Sequence, residues 1–330
     1  MSLAPASPKS FGFRSPQDIA KVGVVAALVL LVLFGWARYD NFLSEYNILS
    51  FLRYNAMFAL IALGMCFVII TGGIDLSVGA VAALSSVVAA LASPYGLLVG
   101  VLAGTATGLG VGLLNGLIIT RLNIAPFIAT LATMLAAYGS ALLLADNQSV
   151  SASYDTAFTE FGQGDLLGLP IPALVMVAAY LAGWLVLERT RAGRRVLAVG
   201  GGEDASRLMG LEVDRLKRGV YLASGALAGL AGVILAAQFG AGQPTEGIGW
   251  ELFAIASVVV GGTLLTGGSG SVGATLAGAM LLALLFNLLN FENGKGWISL
   301  SAYWQSVIRG LFLLLFVLLQ AKIAKNTDDF

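Results

Sequence analysis

Histidine is absent from this sequence, and cysteine occurs once, as Cys66 within an apolar run. Without His the chain lacks the commonest metal ligand and the usual acid–base group near neutral pH. One Cys supports neither a disulfide framework nor a cysteine-based metal site. Charge is also scarce, at 11% of residues against about 25% in soluble domains. No G-x-x-x-x-G-K-[ST] phosphate loop occurs, so the chain has no machinery of its own for ATP hydrolysis. An enzyme within the membrane would need converging nucleophiles, bases or ligands, and that inventory is nearly empty. No cofactor is expected, and with a formal net charge of zero nucleic acid is not an expected partner.

What is present is apolar: 58% of residues are hydrophobic and the mean hydropathy is +0.89. A bilayer core takes about 20 apolar residues per helix. On that measure the spans fall at 19–37, 53–71, 74–92, 96–120, 124–145, 168–187, 218–240, 251–266, 271–291 and 302–320. The first run is too long for a signal-peptide core and lacks a small-residue cleavage site, so it reads as a retained helix. The fold class is all-α: a polytopic membrane protein with about ten transmembrane helices, some of them short or interrupted. Residues 1–18 form a polar tail, 19–320 the membrane domain and 321–330 a second tail.

Orientation follows from the segment Glu188–Arg218, which holds eight of the eighteen Lys and Arg residues. Basic loops stay on the cytoplasmic side. With this loop inside, both termini are cytoplasmic. Fourteen basic residues then face the cytoplasm, Arg38, Arg53 and Lys295 fall outside, and Arg309 lies within a span, where it either pairs with an acid or snorkels. The largest outer loop, 145–167, carries Asp146, Asp155, Glu160 and Asp165 and no basic residue. It is a solvated loop or a contact for a soluble partner.

Glycines 100, 104, 108, 112 and 116 recur every fourth residue, the small-residue stripe that lets helix backbones approach closely in membranes. GLGVGLLNG within it superficially matches a dinucleotide fingerprint but lies inside a span, where such a fingerprint cannot work. Two spans look broken, one at 71–79 and the other at the glycines following 251–266. TGGIDLSVGA (71–80) also aligns with TGGSGSVGA (266–274) when one residue is skipped, from an internal duplication or from chance likeness of Gly-rich turns. Broken helices are tolerated at membrane depth where the freed backbone is buried or lines a path, and repeat-built transporters place substrate near paired breaks. Asp75 is the acid set deep between apolar runs: a proton or substrate relay, or a cap on exposed backbone NH groups.

Gln243, Thr245, Glu246, Trp250 and Glu251 gather at the outer mouth of the eighth span, and Asn287, Asn290, Asn293, Tyr303, Trp304 and Gln305 at the outer ends of the last two. Such residues make either a sugar-binding surface or an interfacial belt. In the basic loop, GGEDASRLMGLEVDRLK predicts an amphipathic helix from Glu203 or Asp204. Ala205, Leu208, Met209 and Leu211 or Val213 lie on one side, and Arg215, Lys217 and Arg218 in its last turn. Its apolar stripe must be buried on the membrane interface or in a partner's groove.

GGIDLSVG (72–79), NGLIITRLNIAPFIAT (115–130), TRAGRRVLAVGG (190–201) with Ala205 and LMGL (208–211), and AIASVVVGGTLLTGG (254–268) together resemble the permease subunits of bacterial ATP-binding-cassette sugar importers of the ribose, xylose and galactofuranose type. The resemblance implies a bacterial plasma-membrane permease dimer, of identical or paralogous copies, with the translocation path between them. A separate ATPase and a periplasmic or extracellular sugar-binding protein complete the importer. Glu203, Asp204, Ala205, Arg207, Leu208, Met209, Gly210 and Leu211 are then the ATPase-coupling segment. Gly72, Gly73, Asp75, Ser77, Gly79, Asn115, Pro126, Gly267 and Gly268 are the signature residues of the path. The segment 291–310 is more polar than the resemblance to the ribose permease implies, which leaves another pentose or a furanose sugar open. The competing expectation is a self-sufficient secondary transporter with Asp75 carrying a proton.

Overall fold

A computed structural model describes residues 16–294 and, beyond them, Trp304, Val307, Ile308, Gly310, Leu311 and Leu314. The expectations for residues 1–15 and 321–330 of the tails, for most of the run 302–320, and for Lys295, Tyr303, Gln305 and Arg309 lie outside the described residues, while 16–18 already belong to the first helix. Seven helices are long and apolar enough to cross a membrane, and two shorter apolar ones accompany them.

The helices are α1 (Pro16–Arg38), α2 (Glu45–Ile70), α3 (Val78–Ala92), α4 (Leu97–Arg121), α5 (Pro126–Leu144), α6 (Glu160–Gln163), α7 (Ile171–Trp184), α8 (Arg191–Gly201), α9 (Glu203–Leu208), α10 (Val213–Phe239), α11 (Trp250–Val260) and α12 (Val272–Gly294). Two-residue strands join Val150–Ser151 to Ala241–Gly242, and Asp165–Leu166 to Leu169–Pro170. The first pair ties the outer loop to the end of α10.

α2 is the axis of the molecule. Its 26 residues rise about 39 Å, and from Ala56 to Ile70 nearly every side chain is buried. α7, α10, α11 and α12 surround it, while α3 packs on α10, α4 on α10 and α3, α5 on α3, and α1 on α12. A helix that is apolar all round belongs inside, and so α2 needs no amphipathic stripe. The glycine stripe of α4 faces α10: a Cβ on Gly108 would meet Gly225 and Gly229, one on Gly112 would meet the Tyr221 carbonyl and Gly225, and one on Gly116 would meet Arg218. The packing reading of the stripe is therefore the right one.

Several boundaries differ from expectation, for tertiary reasons. α2 begins at Glu45, eight residues before the apolar run, because Ser44 caps it by accepting from the Asn47 NH. α3 begins only at Val78, since 71–77 is the expected break. α10 begins at Val213, so Arg215, Lys217 and Arg218 belong to its first turns rather than to the end of a cytoplasmic helix. α11 has only 11 residues, about 16 Å, or half of a bilayer core of about 30 Å.

The position of α11 is a second correction. Trp250 packs against Phe58 with ring centroids 4.6 Å apart and planes inclined at 53°, and Phe253 lies 5.1 Å from the same ring. Phe58 is at the middle of α2. The preceding segment dips alongside α3, so closely that a Cβ on Gly79 would overlap the Gly247 carbonyl. Trp250 and Glu251 thus start a half-helix at mid-depth instead of sitting at the outer mouth. The large ring of Trp250 is buried against Phe58 and so forms no part of an interfacial belt.

Candidate coupling face and buried path residues

Both expected breaks are real and share one geometry. At the end of α2, Gly72 NH donates to the Ile69 carbonyl (2.8 Å) and Gly73 NH to Val68 (3.1 Å). At the end of α11, Gly262 NH donates to Val259 (2.8 Å) and Thr263 NH to Val258 (3.2 Å). These are glycine-terminated helix ends with the left-handed residue, Gly72 (φ 77°) or Gly262 (φ 87°), after the last turn. Gly72 is therefore matched by Gly262, whereas the sequence alignment paired it with Gly267. Downstream, α3 and α12 both begin at the Val of a Ser-Val-Gly-Ala run, as aligned. The sequence comparison missed the helix ends because the second break is longer.

The two breaks also touch. Gly268 NH donates to the Ile70 carbonyl (2.9 Å), and Gly267 lies against Gly72. Gly200, at the end of α8, is wedged onto this junction, where a Cβ would overlap the Ile70 carbonyl and crowd the Gly268 NH. Sequence reasoning placed Gly200 in a motif without giving it a role.

Above the junction lies a buried polar chain. Asp75 Oδ1 accepts from Ser77 NH (3.0 Å) and Ser77 Oγ (2.6 Å), and Oδ2 from Ser224 Oγ (2.9 Å). Asn115 Nδ2 donates to Ser77 Oγ (2.9 Å), and Thr133 Oγ1 donates to Asn115 Oδ1 (2.6 Å). Leu76 NH donates to Thr130 Oγ1 (3.1 Å), one turn into the helix that Pro126 opens. The chain joins α5, α4, the first break and α10. Asp75, Ser77, Asn115, Thr130, Thr133 and Ser224 are all buried, Asp75 to 1% exposure. Buried polar groups of this kind are costly unless paired, and here the carboxylate satisfies the backbone of the break. Thr130 was legible as part of a motif; Ser224 and Thr133 carried no signal in the sequence. Tyr221 packs its hydroxyl against Gly73. Gly79 stands apart, against Gly247.

The segment expected on the cytoplasmic side is a platform. α9 is six residues long, shorter than expected; it ends at Leu208, and Met209, Gly210 (φ 81°) and Leu211 form a turn into α10. Arg207 pairs with Glu203 (3.0 Å) and with Asp214, and Lys217 pairs with Glu203. Burial raises the Glu203 carboxyl, but the hydrogen bonds from Lys217 and Arg207 outweigh it and leave the group below its ordinary value. Those to Asp214 and Glu203 raise Arg207. Ser206 and Val213 turn inward, while Leu208 is 89% and Met209 70% exposed. Asp204 and Ala205 are exposed beside them. Of the expected apolar stripe, only Ala205, Leu208 and Met209 face out; Val213 has joined the core.

Residues 47–317 match the family described as branched-chain amino acid transport system / permease component. The chain belongs to this permease family. It is 43% identical to the ribose import permease protein RbsC of Bacillus subtilis, over 92% of this chain and 93% of the relative. It is 36% identical to the L-arabinose transport system permease protein AraH of Escherichia coli, over 95% and 93%. It is 32% identical to the fructose import permease protein FruG of Bifidobacterium longum, over 96% and 95%. No solved structure matches. The sequence motifs and the family agree: this is a multi-pass sugar-importer permease of the bacterial plasma membrane.

Proposed function

We propose that the chain forms the translocation path of an ATP-driven importer for a monosaccharide, a pentose or furanose sugar. It works as one of a pair of permease copies, with a separate ATPase on the cytoplasmic face and a sugar-binding protein on the outer face. The relatives named for ribose, L-arabinose and fructose support a monosaccharide. The observation that carries the coupling is the seat of Gly200. α8 runs straight into the exposed Leu208–Met209 platform at one end of its loop, and its last turn bears on both helix breaks at once. A partner that grips Leu208 and Met209 and moves the platform therefore moves the junction of α2, α3, α11 and α12. That is the rigid-body switching element alternating access requires. Asp75 and its polar neighbours hold the first break in shape while it moves.

The competing reading, a proton-coupled transporter, meets an Asp75 whose two oxygens already accept three hydrogen bonds. The discriminating experiment purifies a tagged copy from native membranes in mild detergent and identifies what accompanies it. A stoichiometric protein with a phosphate loop, and sugar uptake in liposomes only with ATP, is expected. The chain recovered alone and active without ATP would overturn the proposal. Replacing Leu208 with Asp tests the contact itself, and should abolish uptake without altering membrane insertion because the side chain touches little of its own fold.

A further inference from the structure

Between α7 and α10, over the floor made by Leu63 and Phe67 of α2, lies an open recess of about 860 Å³. Its walls are apolar: Ala182 and Val186 on one side, Ala223 and Leu227 on the other. Its cytoplasmic end is polar, lined by Arg195 of α8 and by Glu212 and Arg215 at the start of α10. Arg215 pairs with Glu212 at 3.4 Å, with 81% and 73% of the two side chains exposed. Arg195, also exposed, forms no ion pair among the described residues. The adjacent Arg189 lies 5.2 Å over the ring of Trp184, an aromatic–basic pair typical of the headgroup level. The recess therefore has an apolar shaft at acyl-chain depth and an arginine mouth where lipid phosphates lie.

We propose that this recess is a binding site for an anionic phospholipid of the cytoplasmic leaflet, with acyl chain between α7 and α10 and phosphate on Arg195 and Arg215. Basic pockets between helices on the cytoplasmic side hold acidic headgroups. Charge complementarity selects this occupant over a zwitterionic lipid: Glu212 offsets Arg215, and Arg195 remains uncompensated. Gly210, Leu211 and Leu216 line the same mouth, directly after the Leu208–Met209 platform. A bound lipid thus braces the coupling segment against α2 and α7.

The test uses the full chain in vesicles of phosphatidylethanolamine and phosphatidylglycerol in known proportion. After extraction into mild detergent, the retained lipid is identified by native mass spectrometry. The wild type is expected to retain phosphatidylglycerol above its share of the vesicle. Arg195→Gln together with Arg215→Gln changes only exposed side chains and should weaken that retention about thirty-fold, near five-fold per arginine. Ala223→Trp fills the shaft from its exposed wall and should release the lipid without altering the mouth. Retention at the vesicle's own proportion, or unchanged in both variants, overturns the proposal. So does cross-linking of a cysteine at position 223 to a second copy of the chain, which would show the recess covered by protein.

Discussion

Gly108 of α4 and Gly225 of α10 are reciprocal contacts: a Cβ on either would overlap the carbonyl oxygen of the other. The two backbones touch there with no side chain between them. Membrane helices associate through such close packing because lipid supplies no hydrophobic drive between them.

Alanine at either position must therefore push the helices apart. Overpacking of this kind costs about 1–3 kcal/mol, and G108A or G225A should lower the midpoint of thermal unfolding in detergent. Gly110→Ala is the control, since a Cβ there meets nothing within 4 Å. Helix propensity alone favours Ala over Gly, so an equal loss from G110A would mean that the α4–α10 contact does not govern the effect.

Asp75 holds three donors. D75A leaves them unpaired in the interior, at about 1–3 kcal/mol for each buried unsatisfied group, and should reduce accumulation of folded protein. D75N retains an oxygen for Ser77 and presents an amide that Ser224 Oγ can accept from, so uptake should survive within a few-fold. Complete loss of uptake in well-folded D75N protein would instead mark the carboxylate as a proton carrier.

Gly200 is the mechanical contact between α8 and the two breaks. G200A should leave insertion and ATPase binding intact while uncoupling ATP hydrolysis from sugar uptake. Gly201→Ala, whose Cβ meets nothing within 4 Å, should behave as wild type. Matched uptake and hydrolysis in G200A would remove the lever from the mechanism.

The ion pairs of Glu203 make the platform sensitive to acid but not to ordinary changes of pH. A carboxyl lowered in the folded state contributes stability that is fully present above its unfolded value of about 4.3. That contribution disappears as the pH falls through the lowered folded value. Hydrogen-exchange protection over 203–211, taken relative to the intrinsic rate at each pH, should therefore be flat from neutral pH down to about 4.3 and fall only below it. E203Q should show the lower protection already at neutral pH.

The sequence by itself determined that the chain is a helical membrane protein and that its helices break in two glycine-rich places, and it set the expectation for the side its basic loop faces. Each of these depends on local chemistry: apolar length, charge that resists translocation, and glycines that end helices. It also singled out Asp75, because an acid between apolar runs stands out, while Ser77 and Asn115 entered only with the motifs that carry the family resemblance. The ion-paired platform was partly legible, since Leu208 and Met209 are apolar in a charged loop. Tertiary structure alone decided that Ser224 and Thr133 complete the polar chain, since nothing local distinguishes one Ser or Thr in a span from another. It alone seated Gly200 on Ile70 and Gly268, and set Trp250 at mid-depth against Phe58. Those contacts join residues far apart in the chain, and hydropathy, which averages along neighbours, carries no record of them.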